Sequence, residues 1–244
     1  MDQTRKGQDE LSTSKAKSPT SAAKVRRPRD SLSRELIIEA AERVAHRDGL
    51  DRLTFQAIGK ELEAHPTSVY RHFRDKDELV LELIDTLRGR SYGGTFQETD
   101  SWRDDLRTVS RVIHDHYLKY PEFALEMASR TTRRPTEFAT VEFALGALKR
   151  AGLSPADAAV YLRAFGNMTR AMSAMEASMH ALPQETRRAD DLAWQVEYRS
   201  LPAEDYPHLA EVRDELTSIS DPRAFDTALE MMLDAIALRV GQDT

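Results

Sequence analysis

From Ser33 onward, apolar residues recur at the period of an α-helix. Ile37, Ala40, Ala41, Val44 and Ala45 recur at spacings of three and four, until Arg47-Asp48-Gly49-Leu50 breaks the run. Thr54 then offers a hydroxyl as an N-cap, with Phe55, Ile58 and Leu62 as the apolar stripe of a short second helix. Glu63 and Ala64 form a brief gap. Pro66 suits the first turn of a third helix, where a missing N–H leaves nothing unpaired. Asp75 predicts a fourth start, because Glu78 lies three residues on, as in a capping box, and Leu79, Val80, Leu83, Ile84 and Leu87 follow. The expected order is a helix, a short helix, a tight turn, a shorter helix and a long helix.

The remainder of the chain is also helical by period. Leu106, Val109, Ile113 and Tyr117 mark one helix, residues 120–130 a short one, and Phe138, Val141, Leu145 and Leu148 a third that Gly152 stops. Ser154-Pro155-Ala156-Asp157 reads as cap, first-position proline and first-turn acid. The helix behind it carries Tyr161, Phe165, Met168, Met172, Met175 and Met179 at spacings 4, 3, 4, 3, 4. A last helix starts at Asp221-Pro222 and carries Phe225, Leu229, Met232 and Ile236 at 4, 3, 4. These heptad seams fit a four-helix bundle made by two copies of the chain, and they fit an intramolecular core as well. Residues 183–200, with Pro183, Trp194 and several charges, read as a loop over an opening. The expectation is an all-α fold. A basic tail spans 1–30, a three-helix helix-turn-helix domain spans 31–90, and a helical bundle spans 91–244.

Charge sharpens this division. The net charge of −6 argues at first against a nucleic-acid partner. Residues 1–30, however, hold eight Lys/Arg against four Asp/Glu, residues 31–90 ten against twelve, and residues 91–244 seventeen against twenty-five. The tail has no aromatic residue, so it cannot bury enough surface to offset its ordering entropy and is expected to be disordered. Its Lys24-Val25-Arg26-Arg27-Pro28-Arg29-Asp30 cluster suits either a solubilising tail or an arm along DNA. No cysteine is present, which excludes disulfides, zinc ribbons and thiol catalysis and is compatible with a reducing cytoplasm. No stretch approaches the ~18 apolar residues of a membrane span, and no apolar run of a secretory signal follows the basic start.

The chemistry concentrates at residues 65–79. At about 100° per residue, Pro66, Val69 and Phe73 fall inward, Thr67, Ser68, Arg71 and His72 outward, and Tyr70 on the flank. So short a helix does not stand alone and needs its neighbours. Its outward hydroxyls, guanidinium and imidazole suit base edges in a major groove, with Tyr70 and Lys76 placed for phosphates. A solvated polar face is the competing reading, and the preceding helix and tight turn favour DNA. Enzyme signatures are lacking. His114 and His116, two apart on a helix, point in different directions, and no His-Glu-x-x-His, phosphate loop or nucleophile elbow occurs. Asp104-Asp105 and Asp190-Asp191 read as solvated surface.

Residues 33–90 resemble the DNA-binding domain of TetR-family transcriptional repressors, on Tyr70, His72, Phe73, Lys76 and Glu78-Leu79 at fixed spacing. The resemblance implies base or phosphate contact from Gln56, Thr67, Ser68, Tyr70, Arg71 and His72, with Thr54 and Lys76 on the backbone. The family usually has Gly at the start of the turn, where this chain has Glu63. If that position has positive φ, a non-Gly residue costs about 1 kcal/mol. Residues 101–130 and 141–159 resemble the tetracycline-repressor-type ligand domain more weakly. A cavity between such helices would be lined by Tyr117, Tyr120, Phe123, Met127, Phe138, Phe165, Asn167 and Met168, residue types that suit an apolar molecule and equally a plain core. The same resemblance implies a homodimer, here through Met172, Met175, Met179, Phe225, Leu229, Met232 and Ile236. Met127 stands where those repressors carry the metal-ligating histidine, so neither magnesium nor tetracycline is expected, nor any cofactor. The function expected is a cytoplasmic homodimeric repressor, released from a double-stranded DNA operator by a small, largely apolar effector. A DNA-binding module without effector control is the runner-up, and an all-α enzyme is third.

Overall fold

Capping side chains set the start of each of the early helices. In the computed structural model, which describes residues 32–216 and 218–242, helix α1 (Arg34–Asp48) begins after Ser33, whose hydroxyl accepts from the Leu36 N–H at 3.3 Å. Helix α2 (Phe55–Glu61) begins after Thr54, whose Oγ1 accepts from the Ala57 N–H at 3.0 Å. Helix α3 (Pro66–Tyr70) has Pro66 in its first turn and His65 as its cap, a role for His65 that the sequence pattern did not suggest. Helix α4 (Lys76–Tyr92) begins after Asp75, which accepts from the Glu78 N–H at 2.8 Å. Glu78 reaches back as expected but takes the N–H of Arg74, one residue before the cap, at 3.0 Å. The expectations for the tail 1–30 fall outside the described residues.

The second part comprises α5 (Trp102–Lys119), α6 (Ala124–Ser129), α7 (Pro135–Ala151), α8 (Pro155–Ala181), α9 (Gln184–Leu192), α10 (Pro207–Glu211) and α11 (Arg223–Gln242). All regular structure among the described residues is helical. Residues 183–200 are therefore not the expected loop: α9 is followed by a π turn, Ala193–Glu197, and a 3₁₀ turn, Tyr198–Ser200. Gly152 ends α7 in the left-handed region, φ 103°, as its place in the pattern suggests.

Two cores hold these helices. The first joins α1–α4 to Phe123, Ala124 and Met127 and to Ala174 and Ala177 near the end of α8. The second lies between α5, α7, α8 and α11 and contains Phe165, Phe225, Leu229 and Ile236. This corrects the expected dimer seam. Phe225, Leu229 and Ile236 are fully or nearly fully buried within one chain, and Met172 and Met232 pack against the same core, so their side chains serve intramolecular packing. Met179 is half-buried, while Met175 does face outward.

The α2–α3 turn depends on two residues. Glu63 has φ 51°, so the left-handed conformation left open by the sequence is adopted here by a residue other than Gly. Gly59 has no room for a side chain, since a Cβ there would lie 2.8 Å from the Ala64 carbonyl oxygen. Glu63→Gly is expected to raise the free energy of unfolding by roughly 0.5–1 kcal/mol by removing strain. Gly59→Ala should lower it by about 1–3 kcal/mol, because backbone must move to admit the methyl group. Chemical denaturation of both variants checks the pair of opposite signs.

Candidate nucleic-acid interface and adjoining cavity

Helix α3 is anchored by Val69 and Phe73, both fully buried, which turns its other face to solvent. The helix proper ends at Tyr70. Arg71 and His72 belong to the turn that closes it, where the N–H groups of His72 and Phe73 bond to the Val69 carbonyl at 3.0 and 3.1 Å. Thr67 is exposed, and His65 Nδ1 lies 3.3 Å from its N–H and 2.8 Å from its hydroxyl. Ser68 and His72 are half-buried, Arg71 and Gln56 are exposed, and Thr54 is exposed although its oxygen caps α2. Tyr70 is 60 % exposed and stands edge-on against Phe55, with centroids 4.6 Å apart. Lys76 is exposed in the first turn of α4 and gives one N–H to the Leu50 carbonyl at 2.9 Å. The eight expected contact residues thus lie on the Thr54–Lys76 segment, with neutral and cationic donors turned out.

Arg34 fixes the end of this segment. Its guanidinium lies over the Phe73 ring, 4.1 Å from the centroid, donates to Glu78 Oε1 and Glu82 Oε1 at 3.0 Å each, and donates to the His72 carbonyl. Hydrogen bonding to Glu82 raises the Arg34 pKa, and hydrogen bonding to the Arg74 N–H and then to Arg34 lowers that of Glu78. Glu82 Oε2 also pairs with Arg134 at 3.3 Å, and Arg130 pairs with Asp77 at 2.5 Å. The start of α4 is therefore tied both to the turn after α3 and to the α6–α7 connection.

At its other end α4 meets a cavity of about 350 Å³. Val109, Ile113, Ala144, Leu162 and Phe165 form apolar walls on α5, α7 and α8, and Arg88 and Tyr92 of α4 line it too. Of the residues expected here, Tyr117, Phe138 and Phe165 line it. Phe123 and Met127 do not, because the turn before α6 tucks them under α1–α4 in the first core. Tyr120 packs against that core and the His116 ring, at 5.1 Å. Asn167 sits on the exposed side of α8, bonded to Arg170 at 2.8 Å, and Met168 packs into the second core. Arg88, Tyr92, Thr140, Thr169 and Arg170 were missed, since charged and hydroxyl residues among apolar ones read as surface. Among the described residues no group of three His, Cys, Asp or Glu could hold a metal. His114 bonds Ser173 at 3.1 Å and His116 bonds Ser91 at 2.8 Å, so the two imidazoles diverge.

A propped short helix behind a tight turn, with its donors facing solvent, defines the class: a helix-turn-helix DNA-binding protein. Residues 37–83 match the family described as "Bacterial regulatory proteins, tetR family", and residues 96–240 match "Tetracyclin repressor-like, C-terminal domain". The chain belongs to the TetR family of bacterial transcriptional regulators. An HTH-type transcriptional regulator of Saccharopolyspora erythraea is 30 % identical over 180 residues, spanning 73 % of this chain and 74 % of its own. The HTH-type transcriptional repressor Rv1353c of Mycobacterium tuberculosis is 30 % identical over 146 residues, 57 % of this chain and 55 % of its own. Apo ActR from Streptomyces coelicolor superposes with a TM-score of 0.76 at 21 % identity, covering 87 % of this chain and 98 % of that one. ActR in complex with actinorhodin gives 0.76 at 22 %, covering 88 % and 100 %. No helix among the described residues is long and apolar enough to cross a membrane.

Beside the cavity, burial holds His116 neutral. Its pKa falls from 6.5 to about 3, chiefly by desolvation, with Arg88 and Lys119 adding repulsion. Its stabilising neutral form is fully present above pH 6.5 and is lost as the pH falls from 6.5 towards 3. At pH 5.5 this group alone should remove about 1.4 kcal/mol of stability. His114, lowered by burial too, acts in the same direction. Denaturant unfolding at pH 7.5 and 5.5 checks this: His116→Gln should lose clearly less stability between the two than the wild type.

Proposed function

We propose that the protein is a homodimeric repressor that leaves its operator when a small molecule occupies the cavity between α4, α5, α7 and α8. The observation that carries this reading is the path of α4. It starts four residues beyond the carbonyl that Arg34 holds at His72 and ends with Arg88 and Tyr92 on the cavity wall. Two ion pairs, Arg130–Asp77 and Arg134–Glu82, couple its first half to the segment leading into α7, which also lines the cavity. Occupancy of the cavity then displaces α4 and the reading helix with it. The ActR complex with actinorhodin, in a chain of similar fold, supports control by a small-molecule effector. The cavity disfavours a DNA-binding module without an effector.

Dimerisation rests on outward faces, on α11 one residue out of step with the expected seam. On α11, Ala224, Ala228, Met231, Ala235 and Leu238 repeat at 4, 3, 4, 3, and Met231 and Leu238 are each 68 % exposed. On α8, Val160, Ala164, Ala171 and Met175 are exposed. Pairing these faces across a two-fold axis gives a four-helix interface and presents two copies of α3 to half-sites about 34 Å apart. Gln56, Thr67, Ser68, Arg71 and His72 read base edges or phosphates, and Thr54, Tyr70 and Lys76 grip the backbone. Such a regulator works in the cytoplasm, where the bacterial chromosome lies.

Binding to DNA from upstream of its own gene, followed by anisotropy across a salt series, tests the interface. Lys76→Ala should weaken binding to all sequences and reduce the salt slope by about one, whereas Arg71→Ala should also relax sequence preference. Wild-type behaviour in both variants would leave the 65–79 segment as a solvated surface and remove the proposed interface.

A further inference from the structure

A guanidinium withdrawn from water requires compensation, and a lone buried charge is strongly unfavourable. Arg88 is 6 % exposed on the cavity wall. It donates one hydrogen bond, from Nη2 to the Met127 carbonyl at 3.3 Å, and forms no ion pair among the described residues. Asp85 lies one turn earlier on α4; the Arg88 charge attracts it, but the two form no ion pair among the described residues, and burial pushes the Asp85 carboxyl up. Glu137 also borders the cavity, but its Oε2 accepts from the Thr132 hydroxyl at 3.1 Å and the Arg133 N–H at 2.7 Å. That carboxylate is committed to the start of α7.

A second polar group on the same wall lacks a partner. The Tyr117 hydroxyl is buried, in a residue 1 % exposed, and has no hydrogen bond of good geometry among the described residues. Burial raises its pKa, so it stays a donor, and nearby Arg88 partly opposes that rise. At the solvent side Arg163 is exposed and forms no ion pair among the described residues. The cavity thus combines apolar walls, a buried cation and an unused phenolic donor, with a further cation where it opens.

We propose that the effector is an anion: an aromatic or otherwise apolar molecule with one acidic group, whose oxygens accept from the Arg88 guanidinium and the Tyr117 hydroxyl. This rests on the reading of the cavity as the effector site. It also gives the effector a direct hold on α4, because the charge that it neutralises belongs to that helix.

Two fluorescent probes of one skeleton test it: 1-anilinonaphthalene-8-sulfonate, and N-phenyl-1-naphthylamine, which lacks the sulfonate. Each is titrated against the full chain. A charge-assisted pair in a dry pocket should make the sulfonate probe bind roughly tenfold tighter or more. Arg88→Met should bring the two probes to the same affinity, and Tyr117→Phe should reduce the preference roughly threefold or more. Arg88→Met removes a buried charge that has no ion pair, so its melting temperature should equal or exceed that of the wild type, which separates lost binding from misfolding. Gly166→Leu locates the probes, since a Cβ at this cavity residue meets no atom within 4 Å and the larger side chain fills the space. Probes that Gly166→Leu expels, but that bind equally or keep their preference in Arg88→Met, overturn the anion site and leave the cavity reading standing. Probes that Gly166→Leu does not expel, or that fail to bind the wild type, overturn both.

Discussion

Arg34 and Glu82 form the contact on which the other parts of the regulator rely. A five-residue helix such as α3 has no stability of its own, so its orientation is whatever its supports impose. Val69 and Phe73 supply the apolar support from below. The directional support comes from Arg34, which covers the Phe73 ring, holds the His72 carbonyl and is itself held by Glu78 and Glu82. Single ion pairs of this exposure stabilise by about 1 kcal/mol or less. Their value here is geometric: four groups, two from the turn after α3 and two from α4, share one planar guanidinium carried by α1, and moving any of them moves the end of the reading helix.

Glu82 extends that constraint to the second core, since its other oxygen pairs with Arg134 ahead of α7. Helix α4 is 17 residues long, roughly 25 Å, with buried residues along most of its length. In the proposed mechanism it is a rod that shifts without bending. On that proposal a change at Arg88 or Tyr92 reaches Asp75, and the ion pairs Arg130–Asp77 and Arg134–Glu82 tie the same end of α4 to the segment leading into α7. A ligand shifts this arrangement only if it binds one position of α4 better than the other. The unpaired cation of Arg88 supplies such a difference, because the charge travels with the helix.

The sequence revealed features governed by neighbours within four residues. The caps at Thr54 and Asp75 and the proline at the start of α3 are decided by local hydrogen bonds and sterics and were legible, whereas the left-handed Glu63 was open in the sequence and the Ser33 cap went unread. Legibility failed where tertiary packing decides. Helix α11 carries two apolar heptad stripes one residue apart, and spacing does not say which faces inward. The Phe225–Ile236 stripe won the core, and Met231 and Leu238 were left outside. Phe123 and Met127 share composition with cavity residues, yet the short turn before α6 delivers them beneath α1–α4. Arg88 escaped notice because a charged residue in a helix ordinarily marks a solvated face, and only the burial around it shows otherwise.

The most direct test of this account is operator binding by Glu82→Gln, followed across a salt series. The substitution keeps the shape of the side chain, touches no proposed DNA contact and removes the charge shared by Arg34 and Arg134. If the orientation of α3 depends on this group, affinity should fall by about fivefold or more, the equivalent of about 1 kcal/mol. The salt slope should stay at its wild-type value, since no phosphate contact is lost. Wild-type affinity in Glu82→Gln would contradict the account, and would leave the position of the reading helix to its apolar contacts alone.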